Sequence, residues 1–137
     1  MGLKFQFEDK EYRLVFKRAT FFTPPIASTK ELKGYKKDLR NLMREIIPSL
    51  KKEERDKVLE YEFNTENYKG DDSKLAKWVT TSAFVVNNDG IVGDVFTSVC
   101  DPFDRFERED GRIRAIGMMK RNQGELGYAA AQCYGKR

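Results

Sequence analysis

Leu3, Phe5 and Phe7 alternate with Lys4, Gln6 and Glu8, and Tyr12, Leu14 and Phe16 alternate with Arg13, Val15 and Lys17. A period of two gives a strand one apolar face. The polar connection Glu8-Asp9-Lys10-Glu11 joins the two runs, so residues 3–17 are expected to form an antiparallel hairpin. Phe21 and Phe22 extend the apolar content until Pro24-Pro25 stops any ladder.

The period then lengthens. Ser28-Thr29-Lys30-Glu31 reads as a capping box, in which hydroxyl and carboxylate each satisfy an orphan N–H. Leu32, Tyr35, Leu39, Leu42, Met43 and Ile46 follow at steps of three and four, the spacing of one helical face. The pattern predicts a helix over 29–47, ended by Pro48. Ser49 is placed to cap a second, shorter helix running to about Tyr61, which would make an antiparallel helix pair. Asn64 to Ser73 is polar and reads as a loop. Residues 75–100 return to strand chemistry around Asn87-Asn88-Asp89-Gly90, whose side chains tolerate positive φ, and predict a second hairpin. Asp101-Pro102 breaks it. A last helix is expected over about 107–121, within the wider run from Phe106 to Asn122. The tail, 123–137, has three glycines; it is either loosely ordered or docked as a short element. The expected fold is α+β, two antiparallel hairpins packed on two or three helices in a single domain spanning 1–137.

Composition narrows the chemistry. The chain has 137 residues with 26 Lys and Arg against 22 Asp and Glu, a formal charge of +4, and it has no His. A His-dependent triad is therefore impossible within it. Its two cysteines, Cys100 and Cys133, cannot complete a four-ligand zinc site without His. No metal, no cofactor and no enzymatic activity are expected. No apolar run is long enough to span a bilayer, and the charged, alternating N-terminus is not a signal peptide. The expected location is the cytoplasm, with no membrane partner. The edge strands of two hairpins invite pairing, which points to a homo-oligomer.

Four constellations could carry chemistry. Lys33, Lys37, Arg40 and Arg44 share one face of the 29–47 helix, either a polyanion footprint that releases counterions on binding nucleic acid or a solvated face diluted by Glu31, Asp38 and Glu45. Asp101, Asp104 and Glu107 stand three residues apart, the makings of a Mg²⁺-type site or simply of acids facing a helix N-terminus. Cys100 lies at a strand end near a helix start, where a thiolate could be stabilised, but no His is available as its base. The last helix carries Arg108, Arg112, Arg114 and Arg121 beside Gly111 and Gly117. Arginine forks suit phosphate, and glycines allow close approach. The competing reading is a surface helix with ion pairs to Glu107, Glu109 and Asp110.

One stretch has a family likeness. Val99-Cys100-Asp101-Pro102-Phe103-Asp104-Arg105-Phe106, followed by Gly111-Arg112-Ile113-Arg114-Ala115, resembles a module of small phage and prophage proteins: a strand ending in Cys-x-Pro-x-Asp-x-Phe, then a helix opening with Gly-Arg. The likeness covers residues 95 to 121. In size and element order the chain is similar to the anti-Thoeris sponges, which trap cyclic ADP-ribose signals without turning them over. It departs from the module at Met118, where an Arg is usual. The resemblance implies a phage-type anti-defence protein that works by stoichiometric binding, with an anionic nucleotide signal held by Arg108, Arg112, Arg114 and Arg121. The alternatives are an inhibitor of a host nucleic-acid enzyme, such as a CRISPR nuclease or RNA polymerase, or a basic nucleic-acid-binding protein using the Lys33 to Arg44 face.

Overall fold

The computed structural model describes residues 2–50, 54 and 57–136. It is an α+β fold in which one mixed sheet lies between helices on both faces. Strands β1 (Leu3–Phe7) and β2 (Lys10–Thr23) form the first hairpin, and β4 (Ala76–Asn87) and β5 (Gly90–Cys100) form the second. Glu8 and Asp9 turn the first hairpin at φ 49° and 64°. Two consecutive left-handed residues match the twist of the flanking strands, so the hairpin closes without glycine.

The hairpins do not stay separate. β2 pairs antiparallel with β4 over Arg13–Thr23 and Ala76–Val86, which fuses them in the order β1-β2-β4-β5. On its other edge β2 is shared. Its first residues, through Leu14, pair with β1, and Ala19–Phe22 pair in parallel with β3 (Leu59–Glu62). Residues 59–62 are thus strand and not the end of a second helix. Pairing with β2 holds them extended; Leu59 is buried, and the Tyr61 ring stacks on Phe21 at 5.4 Å between centroids. Of the rest of that expected helix, residues 51–53 and 55–56 lie outside the described residues, and Lys57 and Val58 are not helical.

The alternation of β2, β4 and β5 sends two sets of side chains to opposite faces. Phe21, Trp78, Phe84, Val95 and Val99 meet Tyr35, Leu39, Met43 and Ile47 of α1 (Thr29–Ser49). Ser28 caps this helix by accepting from the Glu31 amide at 3.2 Å. Pro48 sits in its last turn, and the helix ends one residue beyond. The Trp78 indole N–H finds Thr23 Oγ1 at 2.8 Å, which satisfies the one polar atom of the largest core side chain. On the other face, Leu14, Ala83, Val85 and Phe96 meet Ala115, Ile116 and Met119 of α2 (Arg108–Asn122) and Ala130 and Tyr134 of α3 (Gly124–Gly135). The tail is therefore an ordered helix, packed on α2 and on β1.

Candidate functional site

The site follows from how β2 is shared. Between Leu14, the last residue paired with β1, and Ala19, the first paired with β3, residues 15–18 have no strand partner on that edge among the described residues. A cleft of about 1300 Å³ opens there and wraps around the edge. It runs from Ile47 and Pro48 at the end of α1, past Lys17 and Val15, to Phe106, Arg108 and Arg112 on the opposite face. The described lining carries six bases (Arg13, Lys17, Arg18, Lys57, Arg108 and Arg112) against two acids, Glu11 and Asp89.

The α2 side of the cleft combines cations with rings. The Arg112 guanidinium lies 4.8 Å from the Phe16 ring centre, and Arg18 lies 5.8 Å from that of Phe106. Each ring holds its guanidinium by cation–π attraction. Phe16 is itself fixed edge-on by Tyr134, 5.3 Å away. On the α1 side Lys17 is buried, and its ammonium donates to the Glu54 carbonyl at 3.0 Å. Behind it, in register across the sheet, Ser82 and Thr97 share a buried hydroxyl bond of 2.8 Å.

The four arginines, all on α2, do not converge. An α-helix turns about 100° per residue, so Arg108 and Arg112 lie about 40° apart, whereas Arg114 is about 200° and Arg121 about 180° from Arg112. Arg108 and Arg112 line the large cleft. Arg114 borders a separate hollow of about 270 Å³ with Cys100, Asp104 and Asp110. Arg121 is exposed near the far end of α2. Arg18 and Phe16, which complete the cluster, come from a strand almost a hundred residues away in sequence. A helical wheel of α2 would have separated the arginines, but no local signal marks the two β2 residues.

Lys33, Lys37, Arg40 and Arg44 are all exposed on α1, on the side away from the core. Arg44 forms an ion pair with Asp94 at 3.3 Å, and the neighbouring Lys36 forms one with Asp101 at 3.2 Å. Asp101 is buried, and its other oxygen accepts from the Phe103 amide at 2.9 Å, so it is committed to holding the loop after β5. Among the described residues, no three His, Cys, Asp or Glu side chains are placed to hold a metal ion.

Cys100 has the wrong electrostatics for a nucleophile. Burial, then the carboxylates of Asp101 and Asp104, push its thiol above the usual value, and Arg114 and Lys36 oppose this less strongly. No described helix is long and apolar enough to cross a membrane. No family model, curated protein or solved structure matches the chain.

Proposed function

We propose that the protein is a non-enzymatic, phage-type anti-defence protein that sequesters an anionic nucleotide signal in the cleft at the unpaired stretch of β2. The observation that carries this reading is the convergence of Arg18, Arg108 and Arg112 with the rings of Phe16 and Phe106 at one opening. Guanidinium forks bind phosphate by charge-assisted hydrogen bonds, and aromatic faces take a base by stacking. The opening exceeds the usual 300–1000 Å³ or so of a small-molecule pocket, which suits a ligand as large as a dinucleotide or a cyclic dinucleotide-like signal. The resemblance of residues 95–121 to phage modules supports the biological setting. The absence of His and the raised thiol of Cys100 support binding without turnover. Arg108 and Arg112 thus serve this site together with Arg18, while Arg114 and Arg121 lie outside it.

The test is a thermal-shift panel of ATP, ADP-ribose, cyclic ADP-ribose and cyclic dinucleotides, with chromatography of each nucleotide afterwards. A ligand held only by the folded state raises the melting temperature by mass action. The reading expects at least one nucleotide to do so and to be recovered intact. No shift across the panel, or consumption of the bound nucleotide, would overturn it.

A further inference from the structure

Among the described residues the sheet has a further open edge, besides the stretch of β2 beside the cleft and the outer side of β3. Helix α3 flanks the outer edge of β1, where the Cys133 thiol lies 3.6 Å from the Lys4 carbonyl. β5, at the opposite end of the sheet, has no strand beyond it among the described residues. The Asn87–Gly90 turn and the ladder to β4 direct the backbone groups of Phe96, Ser98 and Cys100 towards β4. Those of Thr97 and Val99 therefore point outward, because N–H and C=O alternate sides along a strand. No described group bonds to them. Upstream the edge is closed off: the backbone bulges at Gly93, φ 79°, and Asp94 Oδ1 accepts from the Val95 amide at 2.8 Å. Downstream, Pro102 ends it. Between these stops lies Val95-Phe96-Thr97-Ser98-Val99, an uncharged run without the lysine or proline that blunts most edges.

Charge frames this opening. Lys36 and Arg44 pair with Asp101 and Asp94, which flank the Val95–Val99 run, so the row Lys36-Arg40-Arg44, at successive turns of α1, lies along this part of the edge. Arg40, in the middle, is exposed and has no acid of its own among the described residues. On the other face, the hollow of about 270 Å³ beneath the start of α2 is lined by Val79, Phe106 and Cys100, with Arg114 and the acids Asp104 and Asp110 at its border.

We propose that the β5 edge is a second binding site, which takes an extended acidic segment of a partner protein by strand addition. The segment bonds through its main chain to Thr97 and Val99. An acidic side chain turns towards Arg40, and its neighbours, on the other face by strand alternation, turn apolar groups towards the hollow. The charge decides against a second copy of this chain. Antiparallel pairing of β5 with itself would set two copies of α1 side by side on one face and oppose their cationic rows.

The test uses blocked peptides of alternating Val and Glu, or Val and Lys, read by fluorescence anisotropy and amide hydrogen exchange on the whole chain. The Val-Glu peptide should bind and slow exchange at Thr97 and Val99. The Val-Lys peptide should bind at least about tenfold more weakly, and Arg40→Glu, an exposed helix substitution, should weaken the Val-Glu peptide by on the order of tenfold. N-methylating alternate amides gives two isomers, of which only the one blocking the β5 side should lose binding. Three results would overturn the proposal: equal binding of both peptides or of neither, retention of binding by both N-methyl isomers, or a dimer whose Thr97 and Val99 amides are protected without any peptide.

Discussion

Gly111→Ala tests how closely α2 lies on the sheet. The Gly111 carbonyl accepts from the Ser98 hydroxyl at 2.8 Å, and Ser98 stands opposite Thr81 on the neighbouring strand. A Cβ at position 111 would lie 2.5 Å from Thr81 Oγ1 and 3.2 Å from Thr81 Cβ. Thr81 is buried and β-branched, so it has little freedom to turn aside. Two effects then oppose each other. Replacing a helical glycine by alanine contributes about 0.8–1 kcal/mol of helix propensity. Forcing a methyl into a packed contact costs about 1–3 kcal/mol. The clash is with a strand of the central sheet, so the cost should win, with a net destabilisation of up to about 2 kcal/mol. Thr81→Ala removes the oxygen at fault and leaves only the tight but adjustable 3.2 Å contact. In that background Gly111→Ala should become neutral or stabilising, by at most about 1 kcal/mol. Urea unfolding of the four members of the cycle measures the difference. If Gly111→Ala stabilises the wild-type chain, or costs the same with and without the Thr81 hydroxyl, α2 does not approach the sheet in this way.

Leu39 is fully buried against Trp78 and its neighbours, so Leu39→Ala should cost about 2–5 kcal/mol in urea unfolding, and a loss near zero would move that face of α1 to the surface. Cys100 should react with iodoacetamide at pH 7.5 more slowly than a free cysteine, because its thiol is pushed up by burial and by Asp101 and Asp104; faster alkylation would mean a cationic environment. Burial, then the Glu54 charge, raise the Tyr61 phenol, so its contribution to stability is fully present below the ordinary tyrosine range and is lost as pH rises through the raised value. Tyr61→Phe should therefore flatten the fall in stability above pH 10, and an unchanged alkaline limb would show that Tyr61 is not the group responsible.

The parts of the fold governed by local chemistry were legible. Asn88-Asp89-Gly90 marks the turn of the second hairpin, and the Ser28 cap with its three-and-four spacing marks α1. What escaped depends on distant partners. Residues 59–62 sit in a stretch rich in Lys and Glu that suits a helix, and only pairing with Ala19–Phe22 makes them a strand. The glycines of the tail argue against a helix, yet a Cβ at Gly127 would meet the Met119 carbonyl of α2, so the residue is small because two helices touch there. The union of the hairpins required β2 to pair with β4 across more than fifty residues of sequence. The site divides in the same way. Arg108 and Arg112, four apart on a helix, could be read together. Arg18 and Phe16 join them only through the sheet.

The central claim is that the β2 cleft holds an anionic nucleotide. Its most direct test is a ¹H–¹⁵N NMR titration of the labelled protein with ATP and with cyclic ADP-ribose, beside the Arg18→Ala/Arg112→Ala variant. Loss of a buried charge-assisted bond costs about 1.5–3 kcal/mol, roughly a 10- to 150-fold loss of affinity per arginine. The account predicts shifts confined to residues 15–18 and 106–112 with at least one of the two nucleotides, and their loss in a variant that stays folded. Shifts that fall instead along Lys33 to Arg44, or an unperturbed spectrum with both nucleotides, would contradict it.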